Sequence, residues 1–152
     1  MSRVQLALNV DDIDEAIAFY SKLFATEPAK VRPGYANFAV AEPPLKLVLI
    51  ENPGHGGSLN HLGVEVDSTD EVTATNARLS DEGMATATED QVTCCYAVQD
   101  KVWVDDPNGA PWEIYTVLAD SDTPQGELRS VDPACGPGRC DTTPDADVCC
   151  AG

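Results

Sequence analysis

Six cysteines and two histidines are the side chains best suited to soft-ion or nucleophilic chemistry in this 152-residue chain. Cys94 and Cys95 are adjacent in its body, while Cys135, Cys140, Cys149 and Cys150 cluster at its end. In a reducing compartment such residues are thiols rather than disulfides. Neighbouring cysteines rarely bridge each other, because the geometry is strained. Two vicinal pairs and one Cys-x4-Cys fit soft-metal or metalloid chemistry, and they lack the paired spacing of a structural zinc finger. His55 lies in the Gly-rich stretch 52–58, which has no Lys-Ser/Thr of a phosphate loop, and is read as solvated in a connector. His61 lies in a segment of alternating apolar residues.

The elements that would position these groups come from an internal repeat. Gln5-Leu6-Ala7-Leu8-Asn9-Val10-Asp11 matches His61-Leu62-Gly63-Val64-Glu65-Val66-Asp67 at an offset of 56. Each copy alternates with period two and then meets a helix-start signal, Asp12 with Glu15 and Ser68 with Glu71. Ile13, Ala16, Ile17, Tyr20, Leu23 and Phe24 make one helical stripe, and Val72 and Leu79 anchor a weaker one. Three extended segments follow each helix, near 28–32, 35–41 and 45–51, then near 86–92, 96–105 and 112–117. Each half therefore reads as strand, helix, strand, strand, strand. The fold class is α+β: two tandem βαβββ modules, about 1–52 and 58–117, forming a cupped mixed sheet.

Strand parity assigns the faces. Val4, Leu6, Leu8 and Val10 point towards the helix, as do Leu62, Val64 and Val66. Gln5 and His61 point the other way. With Trp112 and Ile114 on the helix side, Glu113 joins Gln5 and His61 on the concave face.

Residues 118–152 are acidic and proline-containing, with no aromatic and no periodicity, which predicts a disordered tail. The net charge of -17 disfavours nucleic acid and anionic lipid as partners. No stretch reaches the ~18 apolar residues of a membrane helix. Asp11 and Asp12 interrupt the N-terminal apolar run, so no signal peptide is expected and the chain is placed in the cytoplasm.

VQLALNVDDIDEAIAFYSKLF, LNHLGVEVD and DPNGAPWEIY resemble the vicinal-oxygen-chelate superfamily of glyoxalases, extradiol dioxygenases and bleomycin-resistance proteins. The resemblance covers residues 1–117. It implies a metal cupped by the two modules, with Gln5, His61 and Glu113 as its ligands. The fourth ligand position of glyoxalases falls on Lys46, whose ammonium cannot ligate, so a three-ligand site with open positions is expected. With Cys94-Cys95 included, the chain is similar to cadmium-inducible proteins and their relatives, the carbon–arsenic lyases. That resemblance implies an Fe(II)-dependent dioxygenase acting on trivalent organoarsenicals, with Cys94 and Cys95 binding the substrate.

An imidazole, a carboxylate and an amide oxygen can hold a divalent metal on one face, and open positions suit non-haem iron. Trivalent arsenic takes two thiolates. Consecutive strand residues point apart, so both sulfurs reach one arsenic only if the chain turns at residues 93–96, and a mobile loop is expected there. Dioxygen is the co-substrate in this reading. A cadmium- or arsenic-binding stress protein without turnover is one alternative; a glyoxalase-type metal-dependent lyase or thiol transferase is another. Monomer and homodimer are both compatible with the superfamily.

The tail thiols Cys135, Cys140, Cys149 and Cys150 are expected to hold Cd(II) or As(III) and to contribute little to catalysis. A chain ending at Leu118 should fold and turn over, yet bind fewer equivalents of either ion by equilibrium dialysis. Unchanged stoichiometry would remove the tail from ion binding.

Overall fold

A computed structural model describes residues 2–123. The expected tail cysteines lie outside the described residues. The first strand, β1 (Arg3–Val10), alternates two kinds of side chain. Leu6, Leu8 and Val10 pack outward against α1 (Ile13–Phe24) through Ile13, Ala16, Ile17, Tyr20 and Phe24. Beneath that helix lie the convex-face residues Ala36, Phe38 and Val40 of β3 (Tyr35–Val40) and Leu47 and Leu49 of β4 (Leu45–Glu51). Burying each large side chain of this cluster contributes about 1.5–3 kcal/mol. The helix starts where Asp12 accepts from the Glu15 N–H at 2.9 Å. It ends at Ala25, which takes a left-handed conformation with φ 48°.

The short strand β2 (Lys30–Arg32) completes the first module. The second module repeats the order as β5 (Leu59–Glu65), α2 (Thr69–Asp81), β6 (Ala87–Cys94), β7 (Ala97–Asp105) and β8 (Pro111–Asp120). Ser68 caps α2 by accepting from the Glu71 N–H, and Val72 and Leu79 bury its inner face. One mixed sheet runs β2-β3-β4-β1-β5-β8-β7-β6, with the modules joined by antiparallel pairing of β1 and β5. The two βαβββ modules and the curled mixed sheet are those read from the repeat.

Three details differ from the sequence reading. Val4 and Leu23 stay 48% and 59% exposed, because α1 covers only the middle of the convex face. Conversely the concave residues Gln5, Ala7 and Asn9 are fully buried, since the sheet curls over them. The last strand continues to Asp120, whose carboxylate pairs with Lys30, so a truncation that keeps it whole must end after the strand rather than at Leu118.

Closure of the cup comes from the β6–β7 hairpin. A bulge at Gln91 (φ 52°), held by its N–H donating to Asp100 at 2.8 Å, bends β6. The hairpin turn then reaches the first module. There Tyr96 packs on Tyr35 at 5.5 Å between ring centroids, donates to the Pro33 carbonyl at 3.4 Å and lies under the Arg32 guanidinium. No helix among the described residues is long and apolar enough to cross a membrane.

Asp12→Ala removes the α1 cap. It should lower unfolding stability by about 1 kcal/mol, seen as a lower urea midpoint with an unchanged slope.

Candidate metal and thiol site

Three strands deliver one side chain each to the floor of the cup. Gln5 comes from β1, His61 from β5 and Glu113 from β8, and all three are buried. The Gln5 amide nitrogen lies 2.6 Å from Glu113 Oε1 and 3.0 Å from His61 Nε2, and those two acceptors are 3.3 Å apart. These separations are close to the edge of an octahedron with bonds of about 2.1 Å, roughly 3 Å. Gln5 and His61, repeat equivalents in the sequence, meet across the pairing of β1 with β5.

Register places Gly63 between Gln5 and Glu113. A Cβ there would lie 3.0 Å from Glu113 Cγ, 3.2 Å from its carbonyl oxygen and 3.4 Å from Gln5 Cβ. A side chain there would require Glu113 to give way by a few tenths of an ångström where the two functional groups converge.

The surrounding hydrogen bonds orient the donors. His61 Nδ1 faces Asn60 Oδ1 at 2.7 Å, and Asn60 is fixed by donating to Asn9 Oδ1 at 3.0 Å. An N–H on Nδ1 leaves the Nε2 lone pair aimed into the site, the arrangement a metal-ligating histidine needs. Tyr115 Oη donates to Gln5 Oε1 at 2.5 Å and also lies 3.3 Å from Glu65. A half-turn of the Gln5 amide would put Oε1 beside His61 and Glu113 and let its NH₂ donate to Tyr115. The phenol could then donate to Glu65. Gln5 Oε1, His61 Nε2 and Glu113 Oε1 would then stand at three adjacent ligand positions, and the donor set fits a divalent metal. Among the described residues no group of three or more His, Cys, Asp or Glu side chains is placed to hold one, so the amide is needed.

Lys101 on β7 is 2% exposed and donates to Glu113 Oε2 at 3.1 Å. Burial alone would push Glu113 up, but Lys101 and His61 outweigh it and hold the carboxyl down at about 2. Burial would likewise pull Lys101 down; Glu113 and Cys94 outweigh it and raise the ammonium to about 12. The bond to Oε2 leaves Oε1 free to ligate through one oxygen.

Cys94 ends β6, and Cys95 and Tyr96 form the two-residue turn into β7. Both turn residues have positive φ, 54° and 62°. That is the handedness of a tight hairpin turn, usually filled by Asn-Gly. It brings Cys95 Sγ to 3.4 Å from Cys94 Sγ, with both thiols free. The chain turns at the expected residues, in a two-residue hairpin between β6 and β7. The bond from Cys95, aided by Lys101 and His61 against burial, lowers the Cys94 thiol below its ordinary range. Cys95 is pushed up by holding that bond and by burial.

Sequence reasoning did not single out Lys101, Asn60, Asn9 or Tyr115. A lysine at the same strand parity as Trp103 was the available signal for Lys101. Nothing local marks Asn60. Lys46, on the expected fourth-ligand position, pairs with Gln5 in register and its ammonium lies 3.6 Å from Glu65.

The glyoxalase/bleomycin resistance protein/dioxygenase superfamily model matches residues 3–114. A trivalent organoarsenical cleaving enzyme of Thermomonospora curvata is 62% identical over 124 residues, covering 81% of this chain and 82% of that protein. The cadmium-induced protein CadI of Mycobacterium tuberculosis is 60% identical over 152 residues, covering all of this chain and 95% of that one. Among solved structures, an Mn(II)-bound glyoxalase from Novosphingobium aromaticivorans aligns with a TM-score of 0.58 at 22% identity. The alignment covers 80% of this chain and 42% of that one, and supports the fold. Metal dependence is the general expectation for this superfamily.

Gly63→Ala should cost about 1–3 kcal/mol of stability through overpacking. It should also weaken divalent-metal binding about tenfold or more by displacing Glu113 from Gln5, as measured by metal titration. Wild-type metal affinity in this variant would show that the close approach is not needed.

Proposed function

The chain belongs to the glyoxalase/bleomycin resistance protein/dioxygenase superfamily, and from that premise we propose that it cleaves the carbon–arsenic bond of trivalent organoarsenicals using Fe(II) and dioxygen. One observation carries the reading. Two free thiols meet at 3.4 Å at the rim of the cup, and His61, Lys101 and Glu113 of its floor all act on the charge of Cys94. The high identity to proteins named as trivalent organoarsenical cleaving enzymes supports it.

Gln5, His61 and Glu113 would hold the iron on one face, leaving open positions towards the thiols. Iron(II) bound there supplies the activation of dioxygen. The residues of the chain do the rest. Cys94, the more acidic thiol of the pair, attacks as its thiolate the arsenic of an arsonous acid. Cys95 follows as the second sulfur. The two arsenic hydroxyls leave as water, taking one proton from Cys95 and one from solvent. The organic group is then fixed beside the floor of the cup. Lys101 keeps Glu113 ionised and oriented throughout, and Asn60 keeps the His61 Nε2 lone pair directed inward. Burial of these groups excludes bulk water from the site.

The competing reading is sequestration of cadmium or arsenic without turnover, in keeping with the relative named as cadmium-induced. Aerobic incubation of the iron-loaded protein with methylarsonous acid separates the two. Inorganic arsenite should accumulate over many turnovers, and His61→Ala should abolish both iron retention and product. Cys94→Ser and Cys95→Ser should keep iron and lose turnover. Stoichiometric binding with no arsenite released would sink the enzymatic reading, and full turnover by both serine variants would take the thiols out of it.

A further inference from the structure

Tyr115 of β8 has one hydrogen to donate and two acceptors within reach. It is fully buried, and burial, with the charge of Glu65 beside it, pushes the phenol up, so the hydrogen stays on it. Its Oη lies 2.5 Å from Gln5 Oε1 and 3.3 Å from Glu65 Oε2. A phenol donates a single hydrogen bond but accepts others. In the structure the shorter contact takes that bond to Gln5, whose NH₂ is directed to Glu113 Oε1 and His61 Nε2.

This arrangement satisfies the amide completely, yet it points nitrogen rather than oxygen at the donor set. Ligation through Oε1 requires the amide to turn, and the turn changes what Tyr115 meets. The carbonyl oxygen leaves and an N–H arrives. Oη then accepts from Gln5, and its own hydrogen is released to the second acceptor. That acceptor is already held in place: Glu65 Oε2 accepts from Arg3 Nε at 2.9 Å and lies 3.6 Å from the Lys46 ammonium. Lys46 is in turn fixed 4.8 Å from the centre of the Tyr115 ring. Burial opposes the charge on Glu65, but Arg3 and Lys46 outweigh it and keep the carboxylate ionised. A hydroxyl bonds more strongly to a carboxylate than to a neutral amide oxygen.

We propose that Tyr115 and Glu65 are a positioning pair that presents the Gln5 amide oxygen to the metal, Tyr115 passing its hydrogen bond from Gln5 to Glu65 as the amide turns. The inference rests on the Gln5, His61 and Glu113 donor set proposed above and adds two residues that do not themselves ligate. No proton changes owner; only the partners change. The two ends of an amide are nearly alike in shape, so an outer hydrogen bond of this kind is what selects the ligating atom.

The test is Mn(II) binding to the full-length protein, followed by the electron paramagnetic resonance of free Mn(II). This ion favours oxygen donors over thiols, which keeps the cysteines out of the measurement. Tyr115→Phe should weaken binding about tenfold or more, the worth of a hydrogen bond to a charged group. Glu65→Gln should weaken it by less. The double variant should bind no more weakly than Tyr115→Phe alone, because both substitutions break one bond. In wild type Mn(II) should also produce a near-ultraviolet tyrosine difference band, which Glu65→Gln shrinks at saturating Mn(II). Unchanged affinity in Tyr115→Phe, additive losses in the double variant, or a band of full size in Glu65→Gln overturns the pair and leaves the donor set standing. The last of these decides even where Tyr115→Phe does not fold. Mn(II) binding that survives His61→Ala strikes the donor set instead.

Discussion

Glu113 is a carboxylate taken out of water at the centre of the cup, and the neighbouring residues are arranged to keep it charged there. An ion moved into a protein interior carries a penalty of several kcal/mol even after relaxation. Lys101 offsets it from one side, at 3.1 Å and equally buried. Gln5 and His61 face the other oxygen. Removing either partner of such a buried pair typically costs about 3–5 kcal/mol, because the remaining charge is left alone. A divalent ion beside Oε1 would act in the same sense as Lys101, so metal binding and the stability of the floor are coupled.

The repeat supplies the symmetry on which this floor depends. Antiparallel pairing of β1 with β5 sets Ala7 opposite His61 and Gln5 opposite Gly63. Repeat-equivalent positions therefore lie close together near the seam between modules, one holding an amide and the other an imidazole. Glu113 enters from the neighbouring strand over Gly63, in the space a side chain would fill. The two modules thus build one site at their junction rather than one site each.

At the rim the device is conformational. Cys95 and Tyr96 both adopt a left-handed backbone, which costs non-glycine residues of order 1–3 kcal/mol each. Tyr96 repays part of this by packing on Tyr35 and reaching Pro33, contacts that also close the cup. In return adjacent cysteines, which an extended strand would point apart, present their sulfurs together.

Much of this was legible in the sequence. The 56-residue offset, the two caps and period-two alternation gave both modules, and parity put Gln5, His61 and Glu113 on one face because that pattern is local. The adjacency of Cys94 and Cys95 already required a turn if both sulfurs were to serve one ion. Burial was not local: α1 is too short to cover Val4, while the curl of the sheet buries Gln5 and Asn9 despite their polarity. Partners distant in sequence were equally hidden. That Lys101 would neutralise Glu113, that Asn60 would aim His61, and that Tyr115 would stand between Gln5 and Glu65 depend on strand order and register. Chain connectivity determines which face a side chain takes, but only the closed sheet decides what stands opposite it.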